Sequence, residues 1–123
     1  MSIVNAIRSD SVLELEHLLR QPGRYVNAPI KNGRPPLHFA IQENKKRIAA
    51  ALLNKHHADI DMTDDDDYTP LMIAIDTNNP DLVKFLIEMG ADTSGKYPDG
   101  KTYQESTENV KIIELLRDKK NVK

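Results

Sequence analysis

The sequence predicts an all-α solenoid of stacked helix-turn-helix units, and three observations predict it. Pro35-Pro36-Leu37-His38-Phe39-Ala40-Ile41 is echoed 34 residues later by Thr69-Pro70-Leu71-Met72-Ile73-Ala74-Ile75. Each phrase leads through a polar break into an apolar helical run that closes on Ala-Asp, at Ala58-Asp59 and Ala91-Asp92. A period in the low thirties with Pro at the helix start marks repeats that bury their apolar faces only against one another. At 123 residues the chain has room for one core and four such units.

In the first unit, Ile3, Ala6 and Ile7 predict a short helix, and Ser11-Val12-Leu13-Glu14 has the spacing of a capping box. Val12, Leu15, Leu18 and Leu19 then form the stripe of an amphipathic helix that Pro22-Gly23 ends. The second unit opens on a turn at Lys31-Asn32-Gly33-Arg34, where Gly33 suits left-handed backbone. A helix from about Pro36 to Glu43 follows, since Pro fits the first helical position, and Asn44 ends it. Ile48, Ala49, Ala51, Leu52 and Leu53 mark the next helix, whose exit through Lys55-His56-His57 lacks Gly.

In the third unit Thr69 caps a helix with Pro70 in its first turn. Asn79-Pro80-Asp81 caps a second helix with Leu82, Val83, Phe85, Leu86 and Ile87 on its buried face, and Gly90 stops it. The fourth unit is shortened: Asp99-Gly100-Lys101-Thr102 repeats the turn, Tyr103 stands where Pro is expected, and a helix carrying Val110, Ile112, Ile113, Leu115 and Leu116 follows closely. Its charged outer side and the run Arg117-Asp118-Lys119-Lys120 fit a terminal cap.

These phrases resemble the ankyrin repeat, with its Thr-Pro-Leu-His-x-Ala helix start and Gly-Ala-Asp exit; Val26-Asn27-Ala28 is similar to the close of many such repeats. Pro35 in place of Thr and Lys55-His56-His57 in place of Gly depart from the pattern. The resemblance implies one domain of helix pairs joined by β-hairpin fingers: an N-terminal capping repeat at 1–30, repeats at 31–63 and 64–96, and a truncated C-terminal cap at 97–123. It also implies a non-catalytic module that binds another protein through finger tips and the concave face of the first helices. Carried over residue by residue, the contact positions are Lys31, Asn32, Arg34, Gln42 and Glu43 in the second unit and Asp65, Asp66, Tyr68, Asp76 and Thr77 in the third. Arg8 and Ser9 begin the row, and Pro98, Asp99 and Lys101 extend it.

Charge divides the chain unevenly. Residues 64–94 hold one basic and eight acidic side chains, whereas 31–63 hold six and three. A partner is therefore expected to set Lys or Arg against Asp65, Asp66 and Asp76, with Tyr68 as the aromatic anchor. The alternative is that these aspartates only keep the stack in solution. With 17 basic against 19 acidic residues overall there is no basic field for nucleic acid. Cys is absent, which excludes disulfides and thiolate metal sites. The beginning does not read as a secretory signal and no window has the apolar length of a membrane helix, so a cytoplasmic protein with no membrane partner is expected.

The chief competing function is nucleotide binding. Gly95-Lys96-Tyr97-Pro98-Asp99-Gly100-Lys101-Thr102 fits the phosphate-loop pattern at every specified position. That loop works between a buried strand and a helix N-terminus, but the run preceding it here has helical period, so the segment reads as the fourth unit's turn. Asp64-Asp65-Asp66-Asp67, with Asp59 and Asp61, offers hard oxygen donors but has Asp64 where a calcium loop needs Gly and Pro70 where it needs Glu. It reads as a solvated finger. His38 occupies the family's Leu-His position, where the ring bonds hairpin backbone; His56 and His57 point apart on a helix; and His17 has no companion at ligand spacing. No cofactor, metal site or catalytic group is expected.

Overall fold

The computed structural model describes residues 2–22 and 25–121, with side chains as far as Arg117. Gly23, half of the expected turn after the second helix, lies outside the described residues, as do the side chains of Asp118, Lys119 and Lys120. Seven α-helices form among the described residues, the first six of them in pairs. They are α1 (Ile3–Arg8) with α2 (Val12–Leu19), α3 (Pro36–Gln42) with α4 (Lys46–Asn54), and α5 (Pro70–Asp76) with α6 (Pro80–Glu88). A 3-10 turn (Gln104–Ser106) then precedes α7 (Val110–Asn121). Helix α3 packs on α1 to one side and α5 to the other, while α2 meets α4 and α6 meets α7. First helices thus form one layer and second helices the other.

Local chemistry sets the helix starts. The hydroxyls of Ser2, Ser11 and Thr69 accept the backbone N–H of Asn5, Glu14 and Met72 at 3.1, 3.2 and 3.3 Å. Asn79 and Asn109 do the same for Leu82 and Ile112, each at 3.2 Å. Pro35 and Lys45 supply no side-chain cap, so α3 and α4 rest more heavily on packing. Of the expected capping box at Ser11 only the hydroxyl half is made among the described residues. The reciprocal box occurs instead in the fourth pair: Thr102 N–H donates to Glu105 Oε1 at 2.9 Å, and Glu105 N–H to Thr102 Oγ1 at 3.2 Å.

Each first helix reverses into its partner through one left-handed residue, Asp10, Asn44 or Asn78, each with φ 58°. These residue types tolerate that region by bonding locally. The exits of the second helices use His57 at φ 58° and Gly90 at φ 103°. His57 therefore replaces the expected Gly in conformation as well as in position, and its neighbour Ala58 donates to Leu52 O at 2.9 Å.

Ile7, Leu15, Leu37, Phe39, Ile48, Leu52, Leu71, Leu82, Leu86 and Ile112 are fully enclosed, in one cluster that crosses every seam of the stack. The expected stripes are narrower than the sequence implied. Val12, Leu19, Leu53, Phe85 and Leu115 are only partly buried. Val110, in the first turn of α7, is 66% exposed. The fingers contain no strand among the described residues; isolated bridges at Lys31–Arg34 and Lys96–Thr102 hold two of them.

His38 is fully buried, and its Nε2 lies 2.9 Å from Tyr68 O, the finger backbone of the next pair. A carbonyl partner makes Nε2 the protonated nitrogen of a neutral ring. Burial lowers the His38 pKa, outweighing the bond to Tyr68 and the nearby Asp64. The unfolded chain then binds a proton more readily than the folded one, so this contribution is complete above about pH 6.5 and declines as pH falls through the folded value. The thermal midpoint is expected to drop between pH 7.5 and pH 5.5, with a shallower drop in His38→Asn; equal slopes would show that His38 is not the group responsible. At Gly90 an added Cβ would meet open space, but the backbone φ is one that L-residues avoid. Gly90→Val is accordingly expected to cost about 1–3 kcal/mol in urea denaturation, and no measurable loss would contradict the conformational account.

Candidate protein-binding face

The expected contact residues divide into two kinds. Arg8, Lys31, Asn32, Asp65, Asp66, Asp76, Thr77, Asp99 and Lys101 are exposed, whereas Arg34, Gln42, Glu43 and Tyr68 are partly covered. The covered ones are engaged inside the molecule. Arg34 donates from Nε to Asp64 Oδ2 at 3.2 Å and from a terminal nitrogen to Gln42 Oε1 at 2.6 Å. Gln42 Nε2 donates to Glu43 Oε2 at 3.1 Å, and Glu43 lies 3.8 Å from Arg8 Nε. Arg8 in turn sits over the Phe39 ring, 5.2 Å from its centroid. A polar chain therefore runs from α1 to the third finger, and the free guanidinium expected at Arg34 is already committed to it.

Asp64 corrects the expectation of a uniformly solvated acidic finger. Its side chain is only 1% exposed. Oδ1 accepts the N–H groups of Asp66 and Tyr68 at 2.9 and 3.0 Å, while Oδ2 takes Arg34. The Asp64 backbone also pairs with Tyr68 O at 2.8 Å, and Asp67 turns the finger at φ 65°. Asp64 is thus the post around which the finger folds, and it leaves Asp65 and Asp66 outward. No group of three or more acidic or His residues placed to hold a metal ion occurs among the described residues.

The second and third fingers are in direct register. Asn32 and Gly33 both have positive φ, 53° and 74°, the pair of values an Asn-Gly hairpin turn requires. Gly33 O accepts the N–H of Asp65 at 3.1 Å, and a Cβ on Gly33 would come within 2.7 Å of Asp65 Cβ. Beyond them three tyrosines meet edge to face, Tyr68 with Tyr97 at 5.5 Å and Tyr97 with Tyr103 at 5.8 Å. Tyr97 donates its hydroxyl to Asp76 Oδ1 at 3.0 Å and reaches Met72 O at 3.3 Å. Burial pushes the phenols of Tyr97 and Tyr103 up, and burial followed by Asp76 does so for Tyr68, so all three are neutral donors at ordinary pH. Tyr68 is consequently part of an internal aromatic row with one edge outward, less free than an anchor on a loop tip.

The segment Gly95–Thr102 is a finger in which the amides of Tyr97, Gly100, Lys101 and Thr102 are taken. Tyr97 and Lys101 pair through N–H to carbonyl at 2.9 Å, and Gly100 N–H returns to Tyr97 O at 2.8 Å. Asp99 Oδ1 accepts Lys101 N–H at 3.0 Å, and Glu105 takes Thr102 N–H. A phosphate would find these donors occupied and a carboxylate at the turn. The helix α6 precedes the loop where a phosphate site needs a strand, and a three-residue 3-10 turn follows it.

One lining region was not expected from the sequence. Asp76 and Asn78, at the end of α5, face Thr107, Glu108 and Asn109 across a cleft of about 470 Å³. A signal for it lies in the spacing: Pro36 and Lys45, like Pro70 and Asn79, lie nine positions apart, but Tyr103 and Asn109 lie only six apart.

Comparison with known proteins matches the ankyrin repeats, in three copies, to residues 3–96. Protein phosphatase 1 regulatory subunit 27 of Mus musculus is 33% identical over 102 residues, covering 74% of this chain and 66% of its own length. A putative ankyrin repeat protein of Borreliella burgdorferi is 35% identical over 88 residues, covering 69% and 40%. Alpha-latrocrustotoxin-Lt1a of Latrodectus tredecimguttatus is 30% identical over 117 residues, or 95% of this chain but 8% of the toxin. The chain thus spans less than two thirds of the length of each of these relatives.

Asp64→Ala is expected to destabilise the fold by about 3 kcal/mol, because it strands Arg34 and two finger amides together. Asp65→Ala and Asp66→Ala should leave the denaturation midpoint essentially unchanged. Equal effects of all three would erase the distinction between a structural aspartate and two presented ones.

Proposed function

The chain belongs to the ankyrin repeat family, and we propose that it is a non-catalytic module whose acidic finger face binds one partner protein carrying a basic patch. Ankyrin repeats are in general protein-interaction modules, and a regulatory subunit stands among the relatives. The observation that carries the finer reading is the arrangement around Asp64. A buried post holds the finger rigid while Asp65 and Asp66 project, and a face ordered in advance loses little entropy when it binds. Asp76 and Asp99 continue the same charge, and the outward edge of Tyr68 lies beside it. The role is that of an inhibitor or immunity-like protein that occludes a target, or of an adaptor that joins two.

The partition into units at 1–30, 31–63, 64–96 and 97–123 is part of this proposal, as is a cytoplasmic location. One helix pair, or the 3-10 turn with α7, falls within each segment. Of the contact residues expected from sequence, we retain Asp65, Asp66, Asp76, Thr77 and Asp99 as the core of the face. Lys31, Asn32 and Lys101 stand at its edges, Arg34, Gln42 and Glu43 support it from within, and the exposed Arg8 ends that chain.

Affinity purification from the native source tests this directly. Tagged wild type and a back-face control, Asp81→Asn with Glu88→Gln, are expected to recover the same protein in a salt-sensitive manner. Asp65→Asn/Asp66→Asn/Asp76→Asn should recover it at least tenfold less well. Retention by the triple variant with unchanged salt dependence would leave the aspartates as solubilising groups only.

A further inference from the structure

The shortened fourth unit leaves a gap in the layer of first helices. In the second and third pairs nine positions separate the first helical Pro from the residue before the second helix, whereas the fourth has six. Three residues, nearly one helical turn, are missing from the element that stacks on α5. The missing turn would lie against the end of α5, and there the cleft opens. Ile75, only 3% exposed, closes its floor, Asp76 and Asn78 line one side, and Ser106, Thr107, Glu108 and Asn109 line the other. At about 470 Å³ it falls within the roughly 300–1,000 Å³ of ordinary ligand pockets.

Its walls are fixed before any ligand arrives. Tyr97 holds Asp76 at 3.0 Å. Asn109 Nδ2 donates to Asn78 Oδ1 at 2.7 Å, which ties the two sides of the cleft together. Asn109 also caps α7 through Ile112. Glu108, by contrast, is exposed and makes no hydrogen bond or ion pair among the described residues. Among the described residues no Lys or Arg lines the space, so two carboxylates from different units line it without an internal counter-ion there.

We propose that this cleft is the specificity pocket of the binding face and receives one arginine side chain of the partner protein. The stem would lie between Asn78 and Thr107, and the planar guanidinium would take Asp76 and Glu108 from its two edges, a forked geometry that ammonium does not match. The inference rests on the protein-binding reading above and adds to it a single residue type and a place.

A titration of the isotope-labelled full chain by NMR tests it, with a capped Gly-Arg-Gly tripeptide and its neutral citrulline counterpart as probes. The arginine peptide is expected to shift the amides of Asp76–Asn78 and Ser106–Asn109 saturably, with a dissociation constant on the order of 1 mM. The citrulline peptide should bind at least tenfold more weakly. Glu108→Gln, which breaks no contact in the fold, should weaken the arginine peptide severalfold, and adding Asp76→Asn, whose amide oxygen can still accept the Tyr97 hydroxyl, should abolish its binding while amides remote from the cleft keep their wild-type positions. Asp65→Asn/Asp66→Asn should leave it intact. No saturable shift, equal shifts with citrulline, shifts spread over Asp65, Asp66 and Asp99, or indifference to Glu108→Gln would each overturn the pocket. A partner recovered by affinity purification whose binding ignores Glu108→Gln would retire the cleft and leave the wider face standing, so the two readings fail separately.

Discussion

No helix pair in this chain can bury its own apolar face, and that constraint governs the rest of the structure. Helix α3 is enclosed only because α1 and α5 flank it, and the core crosses every seam. Polar groups at the seams must therefore be satisfied by the next pair. His38 reaches Tyr68 O, Asn27 Oδ1 accepts the N–H of Asp59 at 3.1 Å, and Asp61 Oδ1 accepts that of Asp92 at 2.9 Å. Asn79 donates to Asn44 at 3.3 Å and Asn109 to Asn78. These rungs repeat with the period of the sequence because each is the same demand met again one pair further along.

The proposed binding face follows from that stacking. A finger alone is a short turn with little to hold it, yet Asp64 gathers two amides and the Arg34 guanidinium, and Arg34 passes the connection on to Gln42. Charges that hold the scaffold are thereby separated from charges left for a partner. The separation is local: Asp64 and Asp65 are adjacent in sequence and opposite in role. Along the same face the tyrosine row fills the space between the third and fourth pairs, and Asp76 joins that row to the surface.

Most of the architecture was legible in the sequence, because Pro36, Pro70, Asn44, Asn79 and Gly90 act through local backbone chemistry that spacing alone reveals. His38 was legible for the same reason, once the repeat frame supplied its neighbour. What escaped was long-range pairing. Nothing in the run Asp64 to Asp67 distinguishes the first aspartate, since its burial depends on Arg34 thirty residues earlier. Val110 kept its place in an apolar pattern, yet it is exposed because the face it occupies in the first turn of α7 packs on nothing among the described residues. The cleft beside Glu108 is a deletion seen as geometry; the spacing from Tyr103 to Asn109 encoded it, while its consequence needed α5 in place.

The central claim is that one rigid acidic face, and not the back formed by the second helices, meets the partner. Hydrogen exchange on the isolated complex measures this most directly. The account predicts added protection on binding at Asp65–Tyr68, Asp76–Asn78 and Asp99–Thr102, with α4 and α6 exchanging as they do in the free chain. Protection concentrated on α4 and α6, with those three segments unchanged, would contradict it.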